Sequence, residues 1–260
     1  MKRSNDAIRA RRHNILSVIE REQDISINRL NGFFDISALT LRRDLDALEE
    51  DGLVQRYHGG VRLRDEPKSL PVFDEKLMSN RTEKQQIAHY LASVIPVGST
   101  LFMNGGPSTL EIIKQLKHHS ATIITNNVMA FEAASGGNCS IICTGGEYNS
   151  TCKTYCGELS TGIIQKTLAD YCILGINGIS KEVGVTTSIY AESIINSLMA
   201  QRCKGPVILA ADATKIGKTF SFTSLKLEMV NELITVSTAD PEELKAIAAA
   251  GVKITLADKL

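Results

Sequence analysis

The 260-residue chain reads as an α/β protein of two domains. A small three-helix unit ending in a two-stranded wing comes first, and a larger Rossmann-like unit with a mainly parallel sheet follows. Three observations predict this. Residues 37–60, SALTLRRDLDALEEDGLVQRYHGG, pass from a helix cap through an amphipathic helix into an alternating run around Gly59-Gly60, as a helix and hairpin would. From Thr82 onward, short continuous apolar runs alternate with helical stretches, the pattern of parallel strands covered on both faces. Between them, RDEPKSLPVFDEKLMSNR at 64–81 carries Pro67 and Pro71, many charges and little periodicity, which marks a boundary. The domains are therefore placed at 1–63 and 82–260, with a linker at 64–81 in which Phe73 is the one large apolar anchor.

The first helix is expected over 6–22, with Ile8, Ile15, Leu16 and Ile19 approximating a stripe. Asp24-Ile25-Ser26 breaks it, and Ser26 can cap a second short helix carrying Ile27, Leu30 and Phe33. The third helix opens at Ser37, whose hydroxyl can accept from an unpaired first-turn amide. Leu41, Leu45 and Leu48 recur at i, i+4 and i+7 and form its buried stripe, while Thr40, Arg42, Arg43 and Asp46 occupy the remaining surface. Gly52 stops it, since glycine takes the left-handed C′ conformation without steric cost. LVQRYHGGVRL then alternates Val54, Arg56 and His58 ahead of the glycine turn.

A short basic helix followed by a small hairpin is the layout of a winged helix-turn-helix reader of duplex DNA. In that layout Thr40, Arg42 and Arg43 lie near the helix N-terminus that reaches base edges, and arginine can grip guanine bidentately. Arg56 and His58 on the wing, with Lys2 and Arg3 in the cationic N-terminus, would hold phosphates. Asp44 is expected to be structural, because a carboxylate facing phosphate would be repelled. The bland alternative is a solvated face in which Arg42 and Arg43 pair with Asp46 or Glu50.

In the second domain, Thr82-Glu83-Lys84-Gln85 has capping-box spacing and opens a helix through Ile95. Strands are expected at 100–104, 122–126, 140–144, 170–176, 206–212, 233–236 and 253–256, and helices at 108–118, 128–135, 158–168, 190–203 and 241–250. Ligands of such sheets bind at the carboxyl ends of the strands. There, Asn104-Gly105-Gly106-Pro107-Ser108-Thr109 precedes a helix, and its glycines, hydroxyls and helix start suit an anion. Asn126, the Gly145-Gly146 turn, Asn177-Gly178 and the pair Asp212 and Lys215 end other strands. Together they suggest a pocket for a small polyhydroxylated anion, with phosphate in the Gly105–Thr109 cradle and hydroxyls on Asn126 and Asp212. Taken one at a time, glycine turns after strands are usually just turns, and Asp212 and Lys215 could be a surface pair of little worth.

Composition narrows the classes. Charges balance to a formal net of zero, but residues 1–64 hold twelve Lys/Arg against ten Asp/Glu, so positive charge gathers in the first domain. No apolar run of roughly 18 residues could span a membrane, and the N-terminal cations precede no apolar signal segment. A cytoplasmic protein is expected. The six cysteines all lie after residue 138 and lack zinc-knuckle spacing, so they read as reduced thiols with no metal and no cofactor.

The combination of Arg11, Ile15 and Ile19 with Ser37, Thr40, Leu41, Arg42, Arg43, Asp44 and Leu45 resembles the signature of the DeoR family of bacterial transcription regulators. The wing RYHGGV at 56–61 resembles that family's wing. The resemblance implies a repressor of a carbohydrate operon acting as a homo-oligomer, dimer or tetramer, on operator DNA. It also implies that the C-terminal domain is similar to sugar-phosphate isomerases of the ribose-5-phosphate isomerase kind and binds a phosphorylated sugar as inducer. On that basis Asn104, Gly105, Gly106, Ser108, Thr109, Asn126, Gly145, Gly146, Asp212 and Lys215 are candidate effector contacts. Asn104 departs from the family, standing where an aspartate is common, which removes one acceptor for sugar hydroxyls.

The rival class is an aldose–ketose isomerase with a DNA-binding appendage. That chemistry needs a carboxylate base and a group that stabilises the enediolate oxygen, roles that Asp212 and Lys215 could imitate. Asn104 is no base, however, and Glu147, Glu158 and Glu192 have no evident partner in the sequence. The regulator is therefore the favoured reading.

Overall fold

A computed structural model of the chain describes residues 11–12, 14–15, 18–19, 22, 24–34, 36–50, 54–57, 59–63 and 73–259. It divides into two compact units, residues 1–70 and 71–260. In the first, the described positions between 11 and 22 are helical (α1). They are followed by β1 (Asp24–Ser26), α2 (Ile27–Asn31), α3 (Ala38–Glu50), β2 (Val54–Tyr57) and β3 (Gly60–Leu63).

The expected leucine stripe closes this unit: Leu41, Leu45 and Leu48 pack with Ile15, Ile19, Ile25, Leu30, Val54 and Val61. Ser37 caps α3 by accepting the Thr40 N–H at 3.1 Å, and Ser26 caps α2 by accepting from Arg29 at 3.3 Å. β2 and β3 pair antiparallel with Tyr57 opposite Gly60. A third strand was not expected: β1, in the segment read as a helix break, pairs antiparallel with β3. The helix stop at Gly52 lies outside the described residues, as do the N-terminal patch residues Lys2 and Arg3 and the wing residue His58.

The second unit begins with α4 (Phe73–Met78), a helix inside the stretch read as linker, and α5 (Arg81–Val94). Phe73 is buried and its N–H donates to the Thr151 carbonyl at 3.2 Å. α5 starts one residue before the expected capping box. Its cap is Asn80, left-handed at φ 47° and ψ 37°, with no side-chain cap bond; Thr82 lies inside the first turn.

All seven expected sheet strands are present: β4 (Thr100–Met103), β5 (Thr122–Thr125), β6 (Ser140–Cys143), β9 (Tyr171–Gly175), β12 (Val207–Ala210), β14 (Glu232–Thr235) and β15 (Lys253–Leu256). They form one sheet in the order β15-β14-β12-β9-β4-β5-β6, and every pairing is parallel.

Side chains alternate across this sheet, as the two-residue period requires. Leu101, Met103, Ile123, Ile173 and Ile208 pack with α5, α6 (Pro107–Leu116) and the short α7 (Ala130–Ala133) on one face. Phe102, Ile124, Leu174, Leu209 and Leu233 pack on the other face with α8 (Gly157–Gln165), α9 (Tyr190–Gln201) and α10 (Pro241–Ala249). Two additions were not read from sequence: the hairpin β7 (Glu147–Asn149) with β8 (Thr154–Cys156), and an antiparallel sheet of β10 (Gly178–Ser180), β11 (Gly184–Thr187) and β13 (Phe222–Leu225). The strand order turns back between β4 and β9, with β5 and β6 on one side and β12, β14 and β15 on the other, so the crevice at their carboxyl ends is the switch point where such sheets take ligands.

Candidate functional site

The DNA-facing candidates divide by what they touch. Arg42 and Arg43 are exposed on α3 and make no hydrogen bond or ion pair among the described residues. Of the two carboxylates that could have quenched them, Asp46 is taken by Arg56 and the Glu50 side chain lies outside the described residues, while Asp44 beside them is turned inward. Asp44 is 2% exposed and accepts from Arg11 Nε at 2.6 Å, Arg11 Nη2 at 3.2 Å and Arg12 Nε at 3.1 Å. Burial pushes the Asp44 carboxyl up, but the Arg11 and Arg12 guanidiniums outweigh it and hold the group below the usual carboxylate range.

Asp44 is thus structural, as expected, and Arg11 and Arg12 are spent on it. Asp46 binds Arg56 Nη1, and the Arg56 N–H donates to Glu49 Oε1 at 2.9 Å. Arg56, assigned to phosphate, therefore ties the wing to α3. Thr40 is half-buried, its hydroxyl 2.9 Å from Ser37 Oγ. Leu39, which sequence reasoning missed, is 61% exposed beside them; an apolar residue at the second position of a basic helix was the available signal.

At the strand ends the candidates likewise separate. Asn104 is buried and saturated: Nδ2 donates to Gly175 O and Asn196 Oδ1, each at 2.8 Å, and Oδ1 accepts the Gly175 N–H at 2.9 Å. It clamps β4 to β9 across the switch point. An ionised aspartate could not make either donation, so asparagine here is a matched framework group rather than a lost sugar acceptor. The Gly105 N–H is taken by Asn126 Oδ1 at 2.7 Å, and Asn126 Nδ2 donates to Tyr155 O at 3.0 Å. The Thr109 hydroxyl is fully buried and turned onto the carbonyls of Asn104 and Gly106.

A Cβ on Gly105 would overlap the Thr154 methyl, and one on Gly146 (φ +112°) would overlap the Cys156 carbonyl. The close approach of the β8 chain therefore explains both glycines. Gly145 offers its carbonyl to Ser160. What remains open in the cradle is compact: the N–H groups of Gly106, Ser108 and Thr109 and the Ser108 hydroxyl have no partner among the described residues. These are first-turn donors at the start of α6, where anions are favoured.

Asp212 is fully buried. Its Oδ1 accepts from Asn80 Nδ2 at 3.0 Å, the Thr214 N–H at 3.1 Å and the Thr214 hydroxyl. Its Oδ2 has no hydrogen-bond partner among the described residues, with Lys215 Nζ 3.9 Å away. Asp212 and Lys215 therefore do stand together, but under cover of residues assigned to the linker. Lys76 and Lys84 join them, both with ammonium pKa values lowered by burial. Lys76 Nζ meets Asn177 Oδ1 at 3.3 Å.

Glu192 is not partnerless either: Asn177 Nδ2 and the Thr187 hydroxyl donate to it at 3.2 and 2.9 Å. Lys76, Asn80 and Lys84 are the site residues that sequence reasoning missed, whereas Asn177 was among the expected strand-end loops and Glu192 was set aside for want of a partner. The Phe73–Leu77 spacing was the one hint of a helix there. Gly145 and Gly146, expected in the same pocket, follow β6, two strands from β4 and four from β12.

Residues 11–66 match the DeoR-like helix-turn-helix domain, and residues 79–237 match the DeoR C terminal sensor domain. The chain belongs to the DeoR family. Among curated relatives, the HTH-type transcriptional regulator GolR of Listeria innocua is 28% identical, covering 95% of this chain and 98% of its own. The glycerol-3-phosphate regulon repressor of Escherichia coli is 31% identical, covering 86% and 89%.

This DeoR-family chain is accordingly a DNA-binding transcriptional regulator with a small-molecule sensor domain, not an isomerase. Ribose 5-phosphate isomerase A of Methanocaldococcus jannaschii superposes at a TM-score of 0.39 and 10% identity over 53% of this chain and 55% of that one. That likeness is too slight to carry a functional argument. No helix among the described residues is long and apolar enough to cross a membrane.

Proposed function

We propose that the chain is a cytoplasmic repressor of a carbohydrate-utilisation operon. It binds double-stranded operator DNA as a homo-oligomer, dimer or tetramer, and leaves when a phosphorylated sugar or related metabolite binds at the strand ends. The observation that carries the DNA side is the division of labour on α3. Asp44 is neutralised beneath the helix, while Arg42, Arg43 and Leu39 are exposed and the two arginines have no partner among the described residues. Arg42 and Arg43 then read guanine edges, Leu39 contacts a thymine methyl, Ser37 and Thr40 set the helix start, and Lys2, Arg3 and His58 take phosphates. Paired half-sites require paired winged domains, which supports the oligomer.

The effector side is supported by the open donors of Gly106, Ser108 and Thr109 for a phosphate, with Asp212 and Lys215 for hydroxyls. Asn104, Gly105, Asn126, Gly145 and Gly146 shape the site without touching the ligand. A coupling of about 1–3 kcal/mol changes operator occupancy roughly tenfold or more. The name of the E. coli relative makes a phosphorylated polyol a natural member of the test panel. Purified chain is titrated with ribose 5-phosphate, glucose 6-phosphate and glycerol 3-phosphate while melting temperature and anisotropy of labelled operator DNA are read. A rise in melting temperature together with loss of DNA supports the reading; turnover of any ester, or neither effect with all three, contradicts it.

A further inference from the structure

The chain enters the sensor domain through α4, and α4 is fastened to the same strand-end loops that the effector reading uses. Phe73 is buried against the loop before β8, donating to Thr151 O. Lys76 reaches Asn177 at the end of β9. The Lys84 ammonium donates to the carbonyls of Lys76 and Ser79, closing the carboxyl end of α4 where a cation is favoured. The turn out of α4 ends at Asn80, whose left-handed backbone (φ 47°) is uncommon for any residue with a Cβ, though asparagine tolerates it best. That turn carries its side-chain amide to Asp212 Oδ1 at 3.0 Å and to Thr214 Oγ1 at 3.4 Å. The other Asp212 oxygen is buried with no hydrogen-bond donor among the described residues, the Lys215 ammonium standing beyond hydrogen-bonding reach at 3.9 Å. A buried carboxylate oxygen left so is costly, and a ligand hydroxyl reaching it gains a bond that Asn80 does not supply.

We propose that Asn80 and α4 form an effector-released latch. Asn80 holds Asp212 in the DNA-competent state, the hydroxyls of a polyhydroxylated phosphate ester take Asp212 over, and α4 comes free together with the segment that tethers the winged domain. The inference rests on the strand ends being the effector site. It makes Asn80 and Lys76 sensing residues: they bind the protein when the ligand is absent and yield to it when it arrives. In the sequence, residues 64–72 are all that separates β3 from α4.

The test uses the full chain, DNA that it selects from a random pool, and ribose 5-phosphate, glucose 6-phosphate and glycerol 3-phosphate as probes. Asn80→Gly keeps the left-handed turn and removes the amide. Asn80→Cys with Thr214→Cys staples the latch, at positions whose side chains already meet. All six native thiols are pushed up in pKa, burial being the largest cause for each, and peptide mapping confirms that the disulfide formed joins positions 80 and 214.

With its circular dichroism unchanged, Asn80→Gly is expected to bind the selected DNA at least tenfold more weakly with no ester present. The oxidised pair is expected to stay on DNA with every ester that releases the parent, and dithiothreitol restores release. Parent-like affinity in Asn80→Gly, or release of the oxidised pair, overturns the latch. Should none of the three esters release the parent, the effector reading fails, and the affinity of Asn80→Gly still decides the latch.

Discussion

Removing the carboxylate of Asp44 tests how α3 is held. The group is 2% exposed and takes three bonds from Arg11 and Arg12. Truncating one member of a buried pair costs about 3–5 kcal/mol. Here, however, the arginine side chains are 30% and 35% exposed and regain water when released, which lowers the cost toward that of surface pairs. Alanine also favours a helix over aspartate by several tenths of a kcal/mol.

About 2–3 kcal/mol is therefore expected for Asp44→Ala, the scale of one or two charge-assisted bonds. Read by hydrogen exchange on α3 amides in the full chain, this is roughly a 30- to 150-fold loss of protection. The pH dependence has a definite sign. The folded pKa of Asp44 lies below its unfolded value, so the stabilisation is complete above about pH 4 and disappears as pH falls through the folded pKa. Asp44→Asn should flatten that acid limb. Unchanged protection of α3 in Asp44→Ala would show that the arginine contacts do not hold the helix.

Three further outcomes are expected. Ser37→Ala removes the α3 cap and should cost about 1 kcal/mol of local stability, seen as faster exchange confined to the first turn. Asn104→Asp keeps the shape but loses both donations across the switch point. It should destabilise the sensor domain by about 2–4 kcal/mol at neutral pH, measured by urea unfolding, with recovery at low pH where the carboxyl can donate again; a parent-like midpoint would remove the clamp. Lys215→Ala should abolish release by phosphate esters while leaving operator affinity intact, and induction surviving that change takes Lys215 out of the site.

The parallel sheet was legible because its strands are buried on both faces and so read as continuous apolar runs such as TLFM, TIIT and VILA. The sheet of β10, β11 and β13 was not: GIS, GVTT and FTSL are short and rich in glycine and hydroxyl residues, and only pairing makes them strands. α4 escaped notice because its order comes from tertiary contacts, namely Phe73 in the core and Lys84 at its end. The roles of α3 were legible from its cap and leucine stripe, which fix what faces inward. The fate of Arg56 depended on a helix-to-wing approach that spacing does not encode. The same holds for Asn104, whose partners Gly175 and Asn196 lie 71 and 92 residues away.

The most direct measurement of the central claim compares Arg42→Ala and Arg43→Ala with the parent on selected and random duplexes at fixed salt. Loss of about 1–3 kcal/mol on the selected DNA with little change on random DNA is the expected result. Parent-like affinity for the selected duplex in both variants would contradict insertion of α3 into the major groove.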